Sequence, residues 1–467
     1  EDINQPRVTD VRYKIDLFPE SRDLTVVADA MIRNTGTTPI DSIHFTMIDG
    51  FDVKIELANA SLALDDPMHR YRIYQLKLPL QPGDSMPLKI TSEYRRNGFE
   101  NEVQFTQIIA NGSFFNNAQV LPQIGYQASD ELSDQNRRKK CKLPERERMP
   151  ALIRDCNSNC RNSYLTNSSD WVTVETVMST SMEQIAVAPG SLLKEWTEGN
   201  RRYFHYKLDH KSVNFYSFIS ARYEVKRDKY QDIDIEVYYV KGHEYNVDKM
   251  VNSLKNSLKY FTENFGPYYH NQARIIEFPR YESFAQAFPG TMPYSESIGF
   301  IANLEDPEDI DMVYYIVAHE MGHQWWAHQV IGANMQGATL LSETMAQYSA
   351  LMVMEDMYGK EQMHKFLKYE MDNYLRNRGT ETIKESPLLK VENQGYVHYR
   401  KGSVVMYYLK EMIGEENINA ALKNMIDSFA YREAPYPNAY HLVDRFEKQT
   451  PDSVKYIIKD LFYDMTV

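Results

Sequence analysis

Near Asp232 the spacing of apolar residues changes period, and no feature constrains the fold of this chain more. Before it, short runs such as "RYKIDLF", "SIHFTMI", "RIYQLKL", "WVTVETVM" and "RYFHYKLD" alternate apolar with polar residues and are separated by Gly, Pro, Asn and Asp clusters. That is the pattern of half-buried strands. After a last strand-like run, "IDIEVYYV", the stretch "VDKMVNSLKNSLKYFTENFG" repeats its apolar positions at three and four and stops at Gly266 and Pro267, as a helix does. The expected architecture is α+β and multidomain: an all-β sandwich or saddle over residues 1–230, then a mostly helical domain over 231–467. The second domain opens as α/β, with "ARIIEF" a strand, and turns nearly all helical after Asp306. Between Gln127 and Asp170 the pattern lapses into a charged, Asn-rich, Cys-bearing stretch, read as a long loop inserted in the first domain.

Composition narrows the function. A formal net charge of -13 argues against nucleic acid as a partner, because a phosphate-binding face needs clustered Lys and Arg. The one basic run, "RRKK" (Arg137 to Lys140), reads as a solvated loop. Cys141, Cys156 and Cys160 are too few for a disulfide framework and lack a His at zinc-ribbon spacing, although Cys156 and Cys160 could form one local bridge. No apolar run approaches the roughly 18 residues of a membrane span. The chain starts at Glu1 with no signal-like segment, so it reads as a mature or excised soluble fragment.

The chemistry is concentrated in "VAHEMGHQWWAHQV" (Val317 to Val330). The helix expected there starts with an Asp cap at Asp306 and Pro307 in its first turn, which puts His319, Glu320 and His323 mid-helix. Residues four apart lie one turn above each other, so His319 and His323 can aim two imidazole nitrogens at one point. Zinc suits that geometry, and Glu320 beside it can take a proton from a water whose pKa the metal lowers. The plainer alternative is two histidines satisfied in a core.

A catalytic zinc keeps three protein ligands and one open position. In "TLLSETMAQYSALMVMEDMYG" the acid Glu343 stands among Leu341, Met345, Ala346 and Met352, and a lone acid in such surroundings needs a partner. His328 is the competing ligand, but five residues on from His323 it points off the metal-facing side. Glu355 and Asp356 read as exposed acids at a helix end.

These residues resemble the aminopeptidase N-like zinc peptidases, the gluzincin group with H-E-x-x-H and a later Glu. "LLSETMAQY" has the cadence of the family's W-L-N-E-G-F-A-x-Y, with Glu343 at the ligand position. The family has 18 residues between the second His and that Glu; here Gln324 to Ser342 makes 19, and the added one is expected in the loop "GANMQGA". "ESIGFI" is similar to the E-N-W-G-L-I of the family's G-x-M-E-N-W-G-L-I segment, which makes Glu296 the residue that binds the substrate's amino terminus, with "GTM" displaced by "PYS". The alternative for Glu296 is a solvent-exposed loop acid. "HYRKGSVVMYYL" resembles the Y-x-K-G segment and gives Tyr399 the oxyanion-stabilising hydroxyl, although most of the 34 tyrosines will be packing residues.

The resemblance implies an N-terminal β domain followed by a thermolysin-like catalytic domain, truncated at its C-terminus, with one Zn²⁺ per chain held by His319, His323 and Glu343. It implies peptides with free amino termini as substrates. The wording "HEMGHQWWAHQVIGANMQGATLLSETMAQYSALMVME" is closest to a bacterial branch in which the peptidase is the soluble part of an ABC-type permease protein, which makes a permease portion a partner and an extracytoplasmic, membrane-associated location the expectation. Two rivals stand beside it: an endopeptidase or other hydrolase using the same zinc, and a catalytically weak peptide-binding or sensory module of a transport system.

Overall fold

Strand Arg7–Phe18 alternates buried Val11, Tyr13, Ile15 and Leu17 with more exposed neighbours, and this period of two sets the register around it. It pairs antiparallel with Asp23–Arg33, where Ile15 faces Val26, and parallel with Ser169–Ser181, where Ile15 faces Met178. The resulting seven-stranded sheet runs Ser191–Glu198, Arg201–Lys207, Ser169–Ser181, Arg7–Phe18, Asp23–Arg33, Ser85–Tyr94, Asp52–Leu57. A four-stranded sheet (Ala60–Asp66, Tyr71–Leu80, Ile40–Thr46, Gln123–Ile124) and a three-stranded one (Ile185–Val187, Ser217–Ala221, Ser113–Asn116) complete the β unit. Ile15, Leu24, Ile43, Phe45, Leu76, Phe115 and Phe218, drawn from all three sheets, share one core. That is the layered packing of an all-β domain.

The structure, a computed structural model, describes residues 3–96, 98, 105–156, 160–306, 309–381 and 384–465. The chain divides into two compact units, residues 1–148 with 166–222, and 149–165 with 223–467. The boundary expected at 230/231 therefore lies eight residues earlier, because Tyr223–Tyr230 pairs antiparallel with Ile233–Val240 and belongs to the second unit's sheet. The stretch expected as one inserted loop is also divided. Residues 149–165 join the second unit through backbone bonds: Gln336 N to Pro150 O at 2.8 Å, Asn334 N to Asn162 O at 2.9 Å, Tyr164 N to Gly332 O at 3.1 Å and Tyr436 N to Cys160 O at 2.8 Å. Cys156 and Cys160 are disulfide-bonded within this segment. The basic run is no loop either. Gln135–Lys140 is a short helix capped by Asp134, and Arg138 is buried, donating to the carbonyls of Leu132 and Pro144, each at 2.8 Å.

In the second unit the sheet order is Tyr223–Tyr230, Ile233–Val240, Gln272–Phe278, Thr291–Ser295, the last three strands parallel. Parallel neighbours need a crossover, and helix Val247–Asn264 supplies the first, burying Met250, Val251, Leu254, Leu258 and Phe261. Every residue of Gln272–Phe278 is buried, as expected of a central parallel strand. The rest is helical: Met312–Gly322, Met345–Tyr358, Met363–Arg378, Gly402–Ile413, Glu415–Phe429 and Ala439–Gln449. The molecule is thus an all-β unit followed by a mostly helical one. Among the described residues no helix is long and apolar enough to cross a membrane.

Candidate metal centre

Helix Met312–Gly322 is capped by Asp311, five residues later than the cap expected at Asp306. The side chain of Asp311 accepts from the Tyr314 amide at 3.0 Å and so satisfies one of the free donors of the first turn; Pro307 lies outside the described residues. The helix is buried on nearly all sides. Its C-cap is His323, still right-handed helical and bonded through its amide to the His319 carbonyl at 3.2 Å, so the i, i+4 relation survives although His323 is at the helix end.

Glu343 sits in a π-helical turn, Leu340–Thr344, that runs directly into helix Met345–Tyr358. A π turn holds one residue more than an α turn and occurs often at functional sites. It is a place besides the loop Gly332–Ala338 where one added residue can be taken up without disturbing the helix that follows. Tyr399 likewise lies in a π-helical turn, Tyr396–Lys401, leading into Gly402–Ile413. Two glycines permit the close approach of these elements. A Cβ on Gly322 would meet the Ala346 Cα at 3.2 Å, and one on Gly402 would meet the Thr344 side chain at 2.7 Å.

The result is convergence. The Nε2 atoms of His319 and His323 are 3.1 Å apart, and Glu343 Oε2 lies 3.5 Å from the first and 3.2 Å from the second. Ligands about 2.0–2.1 Å from a tetrahedral zinc stand roughly 3.3 Å from one another, so these separations fit that ion. Among the described residues the buried Glu343 Oε2 has no hydrogen-bond donor apart from these two nitrogens, as suits an atom reserved for a cation. His323 Nδ1 is held by the Trp326 carbonyl at 3.0 Å, which turns Nε2 toward the shared point.

The electrostatics follow from burial. Glu320, 6% exposed, is pushed up to about 7 by desolvation, with the Glu343 charge adding to it. Burial opposes ionisation of Glu343 too, but the two imidazoles hold its carboxyl well below the usual range. Burial and then the Glu343 carboxylate raise the Tyr399 hydroxyl, whose ring stands 5.6 Å from that of His319. A cleft of about 470 Å³ lined by Asn377, Thr380, Glu381, Gly395, Tyr396, Tyr399 and Arg400 opens beside it.

The remaining expected residues fall elsewhere. His328 is buried with Nε2 on the Ala287 carbonyl at 3.1 Å, off the metal side. Glu296 follows the strand Thr291–Ser295 and belongs to a separate group with His243 and Glu277. Its Oε1 accepts from the Arg280 amide at 3.2 Å and its Oε2 lies 3.9 Å from His243 Nδ1, while His243 also contacts Glu277. Glu355 is only partly exposed and is paired with Lys410 at 2.8 Å. Two residues with no sequence signal are drawn to the site. Gln324 accepts from the Gly290 amide at 2.8 Å and donates to the Phe288 carbonyl at 3.0 Å, fixing that turn to the end of the histidine helix. Tyr164 comes from the segment 149–165, and its hydroxyl is raised by burial and by Glu343; the backbone pairing of that segment with Gly332 helps bring it near.

Residues 249–461 match the model of the Peptidase family M1 domain. Human endoplasmic reticulum aminopeptidase 2 is 25% identical over 193 residues, which are 39% of this chain and 20% of that protein. Probable aminopeptidase 2 of Sulfurisphaera tokodaii is 20% identical over 248 residues, 51% of this chain and 31% of its own length. The matches thus span about a third of these relatives' length or less. The fold is similar to that of an M1 zinc metallopeptidase from Deinococcus radiodurans, with a TM-score of 0.67 at 13% identity over 99% of this chain and 96% of that one. A mutant of that protein bound to a Tyr-Ser-Ala substrate gives a TM-score of 0.66 at 13% identity, over 99% and 95%.

Proposed function

We propose that the chain is a family M1 metallopeptidase that uses one zinc to remove N-terminal residues from peptides. One observation carries this reading: His319, His323 and Glu343 point three ligand atoms at one place, with the acid Glu320 next to His319 on the same helix. Zinc, when bound, supplies Lewis acidity that makes water nucleophilic near neutral pH and polarises a carbonyl. Glu320 takes the proton of the attacking water and returns it to the leaving amine. Tyr399 donates its hydroxyl hydrogen to the carbonyl oxygen as negative charge develops there. The test is hydrolysis of a panel of aminoacyl fluorogenic amides beside their acetylated forms. Cleavage of the free-amine set alone supports the reading, and cleavage of neither set contradicts it.

Tyr399→Phe is expected to lower kcat by about 10²–10³, or roughly 2.7–4 kcal/mol, in steady-state assays with the zinc content unchanged. A change confined to KM would make Tyr399 a packing or binding residue instead.

Exopeptidase specificity needs a group that recognises the substrate's ammonium, and Glu296 is proposed for it. Its Oε1 already accepts from the Arg280 amide, and a carboxylate keeps further acceptor sites for a substrate ammonium. A hydrogen bond to a charged group is worth about 1.5–3 kcal/mol. Glu296→Ala is accordingly expected to lower kcat/KM on free-amine substrates by roughly 10–100-fold and to narrow their advantage over acetylated ones. Full preference retained by the variant would remove Glu296 from this role. A permease portion in the same full-length protein and an extracytoplasmic location are proposals resting on the sequence wording alone; the size of the native protein and its fractionation from cells test them.

A further inference from the structure

Helix Met363–Arg378 carries one acid, Glu370, that is completely buried. An ionisable carboxyl costs several kcal/mol to bury unless its oxygens are fully partnered, and here the partners come from three different elements. Tyr315 donates its hydroxyl to Oε1 at 3.0 Å, Gln347 donates its amide to the same oxygen at 3.0 Å, and Arg400 Nη1 reaches Oε1 at 3.2 Å and Oε2 at 3.0 Å. Gln347 also donates to the Tyr315 hydroxyl at 2.8 Å, so the network closes on itself.

The positions of these partners matter more than their number. Tyr315 is one helical turn before His319, Gln347 is one turn after Glu343, and Arg400 directly follows Tyr399. Each element that presents a group to the metal centre is thus tied, at or within one turn of that group, to a single carboxylate on a fourth helix. An apolar side chain of similar size would fill this space with no desolvation cost, but it would carry no directional bonds and so would not fix the three elements relative to one another.

We propose that Glu370 is a positioning residue, which aligns the histidine helix, the Glu343 turn and the Tyr399 turn so that their side chains meet at one point. This rests on the zinc peptidase reading above. Glu370→Gln keeps the size but loses the charge that holds Arg400, and Tyr315→Phe removes one hydroxyl from the network. Zinc affinity, measured by competition with a chelator, is expected to fall by about tenfold in Glu370→Gln, the low end of the range for lost partners of metal ligands, because Glu370 bonds neighbours of the ligands rather than the ligands themselves. Its kcat is expected to fall similarly while KM moves by less than about threefold, and Tyr315→Phe should change both quantities in the same direction by a smaller factor. Glu355→Gln breaks the partly buried pair with Lys410 more than three helical turns from Glu343 and serves as the control. It should lower the melting temperature without changing zinc affinity or the kcat of folded protein.

If Glu370→Gln does not fold, Tyr315→Phe decides the matter by the same two measurements. Variants that melt earlier but hold zinc and turn over like the parent would make Glu370 a simple brace and overturn the proposal. A parent that neither binds zinc nor hydrolyses any substrate would instead sink the peptidase reading, and the inference with it.

Discussion

Glu320→Gln should bind zinc as tightly as the parent and hydrolyse aminoacyl amides about 10²–10⁴-fold more slowly, the range general acid–base catalysis contributes. Glutamine has nearly the shape of glutamate, so the packing of the buried helix Met312–Gly322 is left in place. What it lacks is an oxygen that can accept a proton and later give it back. Glu320 directly follows His319 and stands three residues before His323, on the helix that carries both imidazoles. Paired measurements of metal content and single-turnover rate separate the outcomes. Parental turnover with bound zinc would remove Glu320 from proton transfer, and loss of zinc would make it part of the metal's own support.

The second large effect is expected from the ligands. His323→Ala removes one of three donor atoms and leaves Glu343 Oε2 buried with half its company. Zinc affinity should fall by more than the roughly 10–100-fold that follows loss of an outer partner, and Glu343→Ala should behave likewise. Linkage gives a readout independent of activity. A ligand that binds only the folded state at a hundred times its Kd stabilises by about 2.7 kcal/mol, so the parent's melting temperature should rise on adding zinc and fall with chelator. His323→Ala should melt at one temperature under both conditions. If it keeps the zinc-dependent shift, the metal is held elsewhere.

Much of the architecture was legible because it depends on period. The change from alternating strands to helical spacing placed the two classes of structure, and "ARIIEF" and "VDKMVNSLKNSLKYFTENFG" lie where strand Gln272–Phe278 and helix Val247–Asn264 form. The spacing of His319 and His323 also speaks for itself, since four residues on a helix make one turn. What escaped depends on backbone pairing or on choices between similar residues. Residues 149–165 join the second unit through main-chain bonds to the Gly332–Gln336 region, and no side-chain pattern encodes those. The cap is read at Asp306 because Pro307 follows it, whereas the bond to the Tyr314 amide puts it at Asp311. The π turns at Glu343 and Tyr399 leave no trace in apolar spacing. Glu355 reads as an exposed acid at a helix end because its partner Lys410 lies 55 residues away in the chain, and nothing singles out Glu370, whose partner Arg400 lies 30 residues away.

The central claim, that this constellation is a zinc-dependent peptidase centre, is tested most directly by returning metal to stripped protein. Protein dialysed against chelator is titrated with zinc while hydrolysis of a free-amine aminoacyl amide is followed. The account predicts no turnover at the start, a linear rise, and a sharp break at about one zinc per chain, the stoichiometry of a single three-ligand site. Turnover that persists in fully stripped protein, or zinc bound to saturation without any hydrolysis across the substrate panel, would contradict it.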